Sequence, residues 1–147
     1  MRKIKFRGKR INNETREFVY GALFKGETEN GKPLAYIIPC GTRYEVMNGR
    51  LHRNTPLHEV DTETVGQFTG LKDDGLEDEK NKREIYEGDR VRATNKSGWT
   101  REFEIIWNED EAKFMVREGS QPNISFDLTC DAIIDFHVVV IGDISQR

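Results

Sequence analysis

The stretch DTETVGQFTGLKD at residues 61–73, followed by KREIYEGDRV at residues 82–91, decides how this 147-residue chain is organised. No other segment is so dense in glycine and acidic residues. Gly66, Gly70 and Gly88 are expected at bends, bulges or close approaches of the backbone, because glycine has no Cβ. The apolar members of this signature are predicted to pack the join between two halves of the chain, and Asp89 completes the motif; the packing residues are Phe68, Leu71, Ile85, Tyr86 and Val91.

Alternating residues before the signature predict a first hairpin. Ile4 and Phe6 alternate with cationic residues between Lys3 and Arg7, as a half-buried strand requires. The segment Glu17 to Phe24 alternates in the same way and predicts a second strand. The turn-forming sequence Asn12-Asn13-Glu14 lies between them, which favours an antiparallel pair.

Further local signals extend this first region. A short apolar strand from Tyr36 to Ile38 is expected to stop at Pro39, since proline has no N–H to donate. The Asn48-Gly49 pair is typical of a two-residue hairpin turn. Asp61 is expected to cap one helical turn over Thr62 to Thr64.

The C-terminal region reads as short strands joined by polar turns. The predicted strand segments are Arg90–Thr94, Glu102–Trp107, Lys113–Arg117, Ile133–Phe136 and Val138–Ile144. No window of twelve or more residues keeps a helical spacing, so a helix-rich fold is not expected. A small barrel or sandwich is expected, and the chain is divided into an N-terminal β region (1–60), a signature linker with a charged loop (61–84) and a C-terminal small β-barrel (85–147).

The charge is distributed unevenly along the chain. Residues 1–60 contain 12 Lys and Arg against 6 Asp and Glu, whereas residues 61–147 contain 11 against 20. The two parts therefore carry +6 and −9 within a total of −3. Opposite charge of this kind favours self-association, which salt would weaken; separate solvation of each half is the alternative.

Cysteine use and hydropathy bear on the compartment. Cys40 and Cys130 are far apart and lack metal-type spacing, which favours a reducing cytoplasm and small buried side chains. Apolar runs such as Val138 to Ile141 are far shorter than the roughly 20 residues of a membrane-spanning helix. The sequence therefore predicts a cytoplasmic protein without a membrane partner.

Catalytic and metal-binding patterns are missing from the sequence. His52, His58 and His137 are scattered, and no paired-cysteine or paired-histidine motif accompanies them. No nucleophile motif is present, and the glycine pair in residues 66–70 is not followed by the Lys-Ser/Thr of a phosphate-binding loop. We therefore expect no enzyme activity, no cofactor and no metal.

The N-terminus supplies the one pattern that favours nucleic acid. Its first ten residues contain six cations and no acid, and Phe6, Tyr20 and Tyr36 offer aromatic rings for base stacking. The cations, which are expected on an edge strand, are Arg2, Lys3, Lys5, Arg7, Lys9 and Arg10. The alternative is that they only discourage sheet aggregation on that edge.

Five ordered segments resemble the YopX family of bacteriophage and prophage proteins. These segments are IKFRGKR (4–10), FVYGALF (18–24), DTETVGQFTGLKD (61–73), EIYEGDRV (84–91) and VIGDI (140–144). The resemblance implies a mainly β, YopX-like fold with a small N-terminal β-sheet region and a C-terminal SH3-like or other small β-barrel. The resemblance implies no catalytic residues. The segment from Asp74 to Arg83, here called the charged excursion, is a longer loop than the short turn typical of the family.

Together these observations lead to a functional expectation. The chain is interpreted as an uncharacterised phage or prophage accessory protein in the bacterial cytoplasm. We expect it to act by protein–protein contacts, to self-associate, to bind a host or phage protein, and to have no catalytic activity. The alternative is a nucleic-acid-binding β module that uses the basic N-terminal strand.

Overall fold

The computed structural model describes residues 3–11, 14–53, 57–75, 79–119 and 124–146, and the chain divides into two units, Lys3–Gln67 and Phe68–Arg147. The elements in chain order are β1 (Phe6–Lys9), β2 (Phe18–Glu27), β3 (Pro33–Pro39), β4 (Tyr44–Met47), β5 (Arg50–Arg53), β6 (His58–Val60), β7 (Gly66–Lys72), β8 (Glu84–Tyr86), β9 (Asp89–Thr94), β10 (Thr100–Asn108), β11 (Lys113–Arg117), β12 (Ser125–Asp127), α1 (Cys130–Asp135) and β13 (Val139–Asp143). Single 3₁₀ turns cover Thr62–Thr64, Glu79–Asn81 and Ile144–Gln146. The predicted mainly-β class is confirmed.

The first unit is built on an antiparallel sheet in the order β6-β3-β2-β1. Its small core is formed by Ala35, Ile37 and Val60, against which further apolar side chains pack, namely Phe6, Val19, Leu23 and Val65. The 3₁₀ turn begins where the sequence predicts, because the Asp61 side chain accepts a hydrogen bond from the backbone N–H of Glu63 at 3.1 Å.

The prediction that the basic N-terminal strand lies at a sheet edge is wrong. β1 is paired on both sides, with β2 through Phe6↔Gly21 and with the first residues of β7 through Phe6↔Gln67. The partner on the second side lies about 60 residues further along the chain, so local alternation could not reveal it. Arg2 and the predicted turn residues Asn12 and Asn13 lie outside the described residues.

The second unit contains a five-stranded antiparallel sheet in the order β12-β11-β10-β9-β13, together with the pairing of β7 with β8. Ten buried residues form its core: Ile85, Val91, Ala93, Phe103, Ile105, Phe114, Val116, Leu128, Ile133 and Val138. The strands predicted at residues 90–94, 102–107 and 113–117 are present with small shifts at their ends.

Two predictions for this unit are corrected. The segment 133–136 is not a strand, because Cys130–Asp135 forms α1, whose N-cap Thr129 accepts a hydrogen bond from the N–H of Ala132 at 3.1 Å. The C-terminal barrel is not closed: in the described residues, β12 and β13 end the sheet on opposite edges. The chain between them is occupied by α1, which buries Ile133 in the core instead of adding a closing strand.

Candidate functional site

The β4–β5 hairpin is a two-stranded sheet of its own, separate in hydrogen bonding from the larger sheets. Its register pairs Tyr44 with Arg53 and Val46 with Leu51, so Tyr44, Val46 and Leu51 share one face. The predicted turn at Asn48-Gly49 is confirmed, since both residues have positive φ angles, 52° and 74°.

This hairpin exposes large apolar side chains. Val46 is 74% exposed and its cross-strand partner Leu51 is 68% exposed, while Met47 and Tyr44 are also exposed. A two-stranded ribbon in water is marginally stable on its own, and exposed apolar side chains at its tip gain stability when a partner covers them. The hairpin is therefore the best candidate for a binding surface in the first unit.

The hairpin is also basic. Residues 43–53 contain Arg43, Arg50 and Arg53 against one acid, Glu45. Arg43 and Arg50 are exposed. The turn was predicted from the sequence but this surface was not, because an alternating pattern locates strands without showing which of them remain uncovered in the fold. The available signal was the combination of apolar alternation with three arginines.

Most of the basic N-terminal residues predicted to bind nucleic acid are less accessible to phosphate than the exposed arginines of the hairpin. Lys5 is 9% exposed and Arg7 is 7% exposed. The guanidinium of Arg7 lies 4.2 Å from the centre of the Phe18 ring, and Lys9 Nζ lies 5.1 Å from the same centre. Lys3 is exposed, Lys9 and Arg10 are half-buried, and Arg2 is outside the described residues.

The aromatic residues expected for base stacking fall on two faces. Phe6 pairs with Gly21 and packs on the core of the first unit. Tyr20 and Phe24 lie on the other face of β2, where they are 41% and 56% exposed, and Phe24 pairs with half-buried Tyr36. An exposed aromatic face therefore exists, but Phe6 does not belong to it.

Three residues of the YopX-like signature shape a bulge and a turn in the backbone of the second unit. Gly70 has a φ of 88° and lies within the register shift between Phe68 and Lys72, so the expected bulge is present. Gly88 has a φ of 87° in the turn after β8, and its N–H donates to the carbonyl of Ile105 at 2.9 Å. Asp89 closes the same turn by accepting a hydrogen bond from the N–H of Tyr86 at 2.8 Å.

The apolar signature residues pack inside the second unit. Ile85 and Val91 are fully buried in its core, and Leu71 packs against that core. The rings of Phe68 and Tyr86, which are cross-strand partners, lie 5.4 Å apart. Gly66, at the start of β7, pairs with Arg7 of β1 in the first unit.

Asp73 is a buried carboxylate that no sequence pattern predicted. It is 1% exposed and accepts three backbone hydrogen bonds, from Arg83 at 2.8 Å, Val140 at 2.9 Å and Gly75 at 3.1 Å. The N–H of Asp73 also donates to the carbonyl of Arg83. Asp73 therefore holds both ends of the charged excursion (74–83) together and ties them to β13.

The titratable groups near the predicted capping site are engaged in structure. The Asp61 carboxylate accepts a hydrogen bond from Arg16 at 2.6 Å as well as from the Glu63 backbone. Burial, and then the positive charge of Arg10, lowers the pKa of His58 below its ordinary value. Hydrogen bonds to Glu111 and then Asp127 raise the pKa of Lys113 in the second unit.

The cysteines and the possible metal ligands do not form a site. In the parts of the chain that the structure describes, no group of three or more His, Cys, Asp or Glu side chains is arranged to hold a metal ion. Cys40 and Cys130 are free and exposed, so the prediction that both are buried is wrong. Cys40 follows Pro39 at the end of β3, and Cys130 is the first residue of α1.

Fold and surface together define a mainly-β protein of antiparallel sheets with an exposed apolar hairpin. The chain belongs to the YopX protein family, because the family's sequence model matches residues 5–146 and so covers nearly its whole length. No curated protein and no solved structure was found to match it. No helix within the described ranges has the length and apolar character needed to cross a bilayer.

Proposed function

We propose that this YopX-family member is a non-catalytic phage or prophage accessory protein that works in the bacterial cytoplasm through protein–protein contacts, including contacts between its own copies. The main observation behind the proposal is the β4–β5 hairpin, which exposes Val46 and Leu51 and forms a two-stranded sheet of its own among the described residues. Its basic charge and the acidic remainder of the chain support self-association.

The test is sedimentation velocity over a concentration series at low salt. Wild-type protein is expected to form reversible oligomers, and Val46→Thr/Leu51→Thr is expected to sediment as a monomer while keeping its thermal stability, because both side chains are exposed. Phe24→Ser is the matched control, since Phe24 is also exposed on the first unit but lies outside the hairpin. A wild-type protein that stays monomeric throughout the series would remove self-association from the proposal.

Nucleic-acid binding is the second candidate function. Its support is the exposed aromatic face of β2, where Tyr20 and Phe24 offer the flat rings on which bases stack. Glutamate at Lys5 or Arg7 would test folding rather than binding, since both residues are buried. Tyr20→Ser/Phe24→Ser should instead abolish binding to a fluorescent single-stranded oligonucleotide at low salt, and a wild-type protein that retains neither single- nor double-stranded DNA or RNA would eliminate this candidate.

A further inference from the structure

Helix α1 presents a second exposed surface, opposite in charge to the hairpin. Asp131, Ile134 and Asp135 are spaced by three and four residues, so they share one face of the helix, and all three are exposed. Ile134 is 60% exposed and Phe136, just after the helix, is 38% exposed. Ile133, on the other side of the helix, is buried in the core of the second unit.

Only one of the aspartates near this surface, Asp127, has a neighbouring cation in the described residues. Residues 127–136 contain three aspartates and no cation. Lys113 makes an ion pair with Asp127, whereas in the described residues Asp131 and Asp135 show no ion pair. Asp135 is in the last turn of α1, which contains no basic residue, although the C-terminal end of a helix favours a positive charge. A cation supplied from outside would therefore be stabilised at this end.

We infer that the β4–β5 hairpin of one copy docks on the α1 surface of a second copy. This inference rests on the proposed self-association and adds the two surfaces that meet. Each surface has an exposed apolar centre, Val46 and Leu51 on the hairpin and Ile134 on the helix, and the flanking charges are arginine on one and aspartate on the other. Contacts between apolar centres supply affinity, and opposite charges select the partner surface.

The contact joins two different surfaces, which limits the assemblies that it can form. Each copy offers one hairpin and one helix, so two copies either exchange both contacts in a two-fold dimer or continue head to tail into a ring or chain. In both arrangements, reversing the charge of one surface weakens the binding of a variant copy to another copy of the same variant. Reversing the other surface in a second variant has the same effect on that variant.

The decisive experiment mixes two charge-reversed proteins. Arg43→Glu/Arg50→Glu makes the hairpin acidic, and Asp131→Lys/Asp135→Lys makes the helix surface basic. Each variant alone is expected to associate at least about tenfold more weakly than wild type in sedimentation at low salt, because like charges then face each other. An equimolar mixture should regain association, since the acidic hairpin of the first variant matches the basic helix of the second and the unaltered surfaces still match.

Controls separate this inference from the proposed function and from misfolding. Lys25→Glu/Lys32→Glu makes the same change in net charge at two exposed residues of the first unit outside the hairpin, and it should weaken association much less than Arg43→Glu/Arg50→Glu. Ile134→Ser alters the helix surface without changing charge and should weaken association while the melting temperature stays near that of wild type. If wild type associates but the mixture shows no recovery, or Ile134→Ser associates normally, the docking arrangement is wrong and self-association stands; a monomeric wild type overturns both.

Discussion

At Gly21 the backbone of the neighbouring strand leaves no room for a side chain. A Cβ added there would lie 1.7 Å from the carbonyl oxygen of Ile38 and 2.7 Å from its carbon, and neither backbone atom can move without breaking the β2–β3 pairing. We expect Gly21→Ala to lower the free energy of unfolding by more than about 2 kcal/mol. Urea denaturation followed by circular dichroism measures this loss.

Gly26 provides the matched control on the same strand. A Cβ added at Gly26 would have no atom within 4 Å of it, so Gly26→Ala should change the free energy of unfolding by no more than about 0.5 kcal/mol. Equal effects of the two substitutions would mean that loss of glycine flexibility, and not the close approach of Ile38, governs stability here.

His58 makes stability depend on pH. Its pKa in the folded protein lies below the ordinary value of 6.5, first because of burial and second because of Arg10. The unfolded chain therefore binds the proton more readily, so this contribution to stability is complete above about pH 6.5 and is lost as the pH falls from there through the lower folded-state pKa.

The substitution His58→Gln tests this effect. It should reduce the loss of unfolding free energy between about pH 7 and about pH 5, because glutamine does not titrate in that range. His52→Gln, on the exposed β5 strand, is the control and should retain the wild-type loss. A pH dependence that His58→Gln leaves unchanged would show that other groups cause it.

At the scale of elements, sequence patterns predicted strands and turns correctly where the paired strands are close along the chain. The β4–β5 turn at Asn48-Gly49 and the limits of β11 at Lys113–Arg117 follow from local residue types. The interior position of β1 does not, because its pairing with β7 is remote in sequence. Helix α1 was predicted as a strand since six residues are too few to show a helical period, and its apolar residues suit either structure.

The candidate surfaces were harder to predict than the strands. Val46 and Leu51 lie on either side of the predicted Asn48-Gly49 turn, but their exposure depends on the absence of a covering element among the described residues of this unit. The basic N-terminal residues differ from expectation in the opposite way, since they are charged but buried. Lys5 and Arg7 were expected in solvent because they are charged, whereas the fold buries them, with Arg7 over the ring of Phe18. Burial is a property of the assembled sheet and not of the alternating pattern.

The charged excursion (74–83) depends on Asp73 at its base. Asp73→Ala removes the acceptor of three backbone N–H groups, and we expect a loss of about 3 kcal/mol in unfolding free energy, since buried donors without partners are costly. Hydrogen exchange should accelerate at the amides of Gly75, Arg83 and Val140. Asp110→Ala, in the exposed turn before β11, is the control, and equally slow exchange in Asp73→Ala and wild type would contradict this role.

At the scale of the whole molecule, salt should separate the two contributions to self-association. Charges of +6 and −9 on the two parts of the chain attract between copies, and ions screen this attraction. We expect the association constant of wild type to fall steadily between about 50 mM and about 500 mM salt. Concentration-dependent sedimentation at each salt concentration gives both the constant and its slope.

Two variants show which side chains determine the association constant and which determine its dependence on salt. Leu51→Thr removes an apolar contact but no charge, so it should weaken association at every salt concentration without changing the slope. Arg43→Glu/Arg50→Glu should flatten or invert the slope, because the electrostatic attraction that salt screens has become repulsion. If wild-type association were insensitive to salt, apolar burial alone would hold the copies together, and the uneven charge of the chain would have to serve the separate solvation of its two parts.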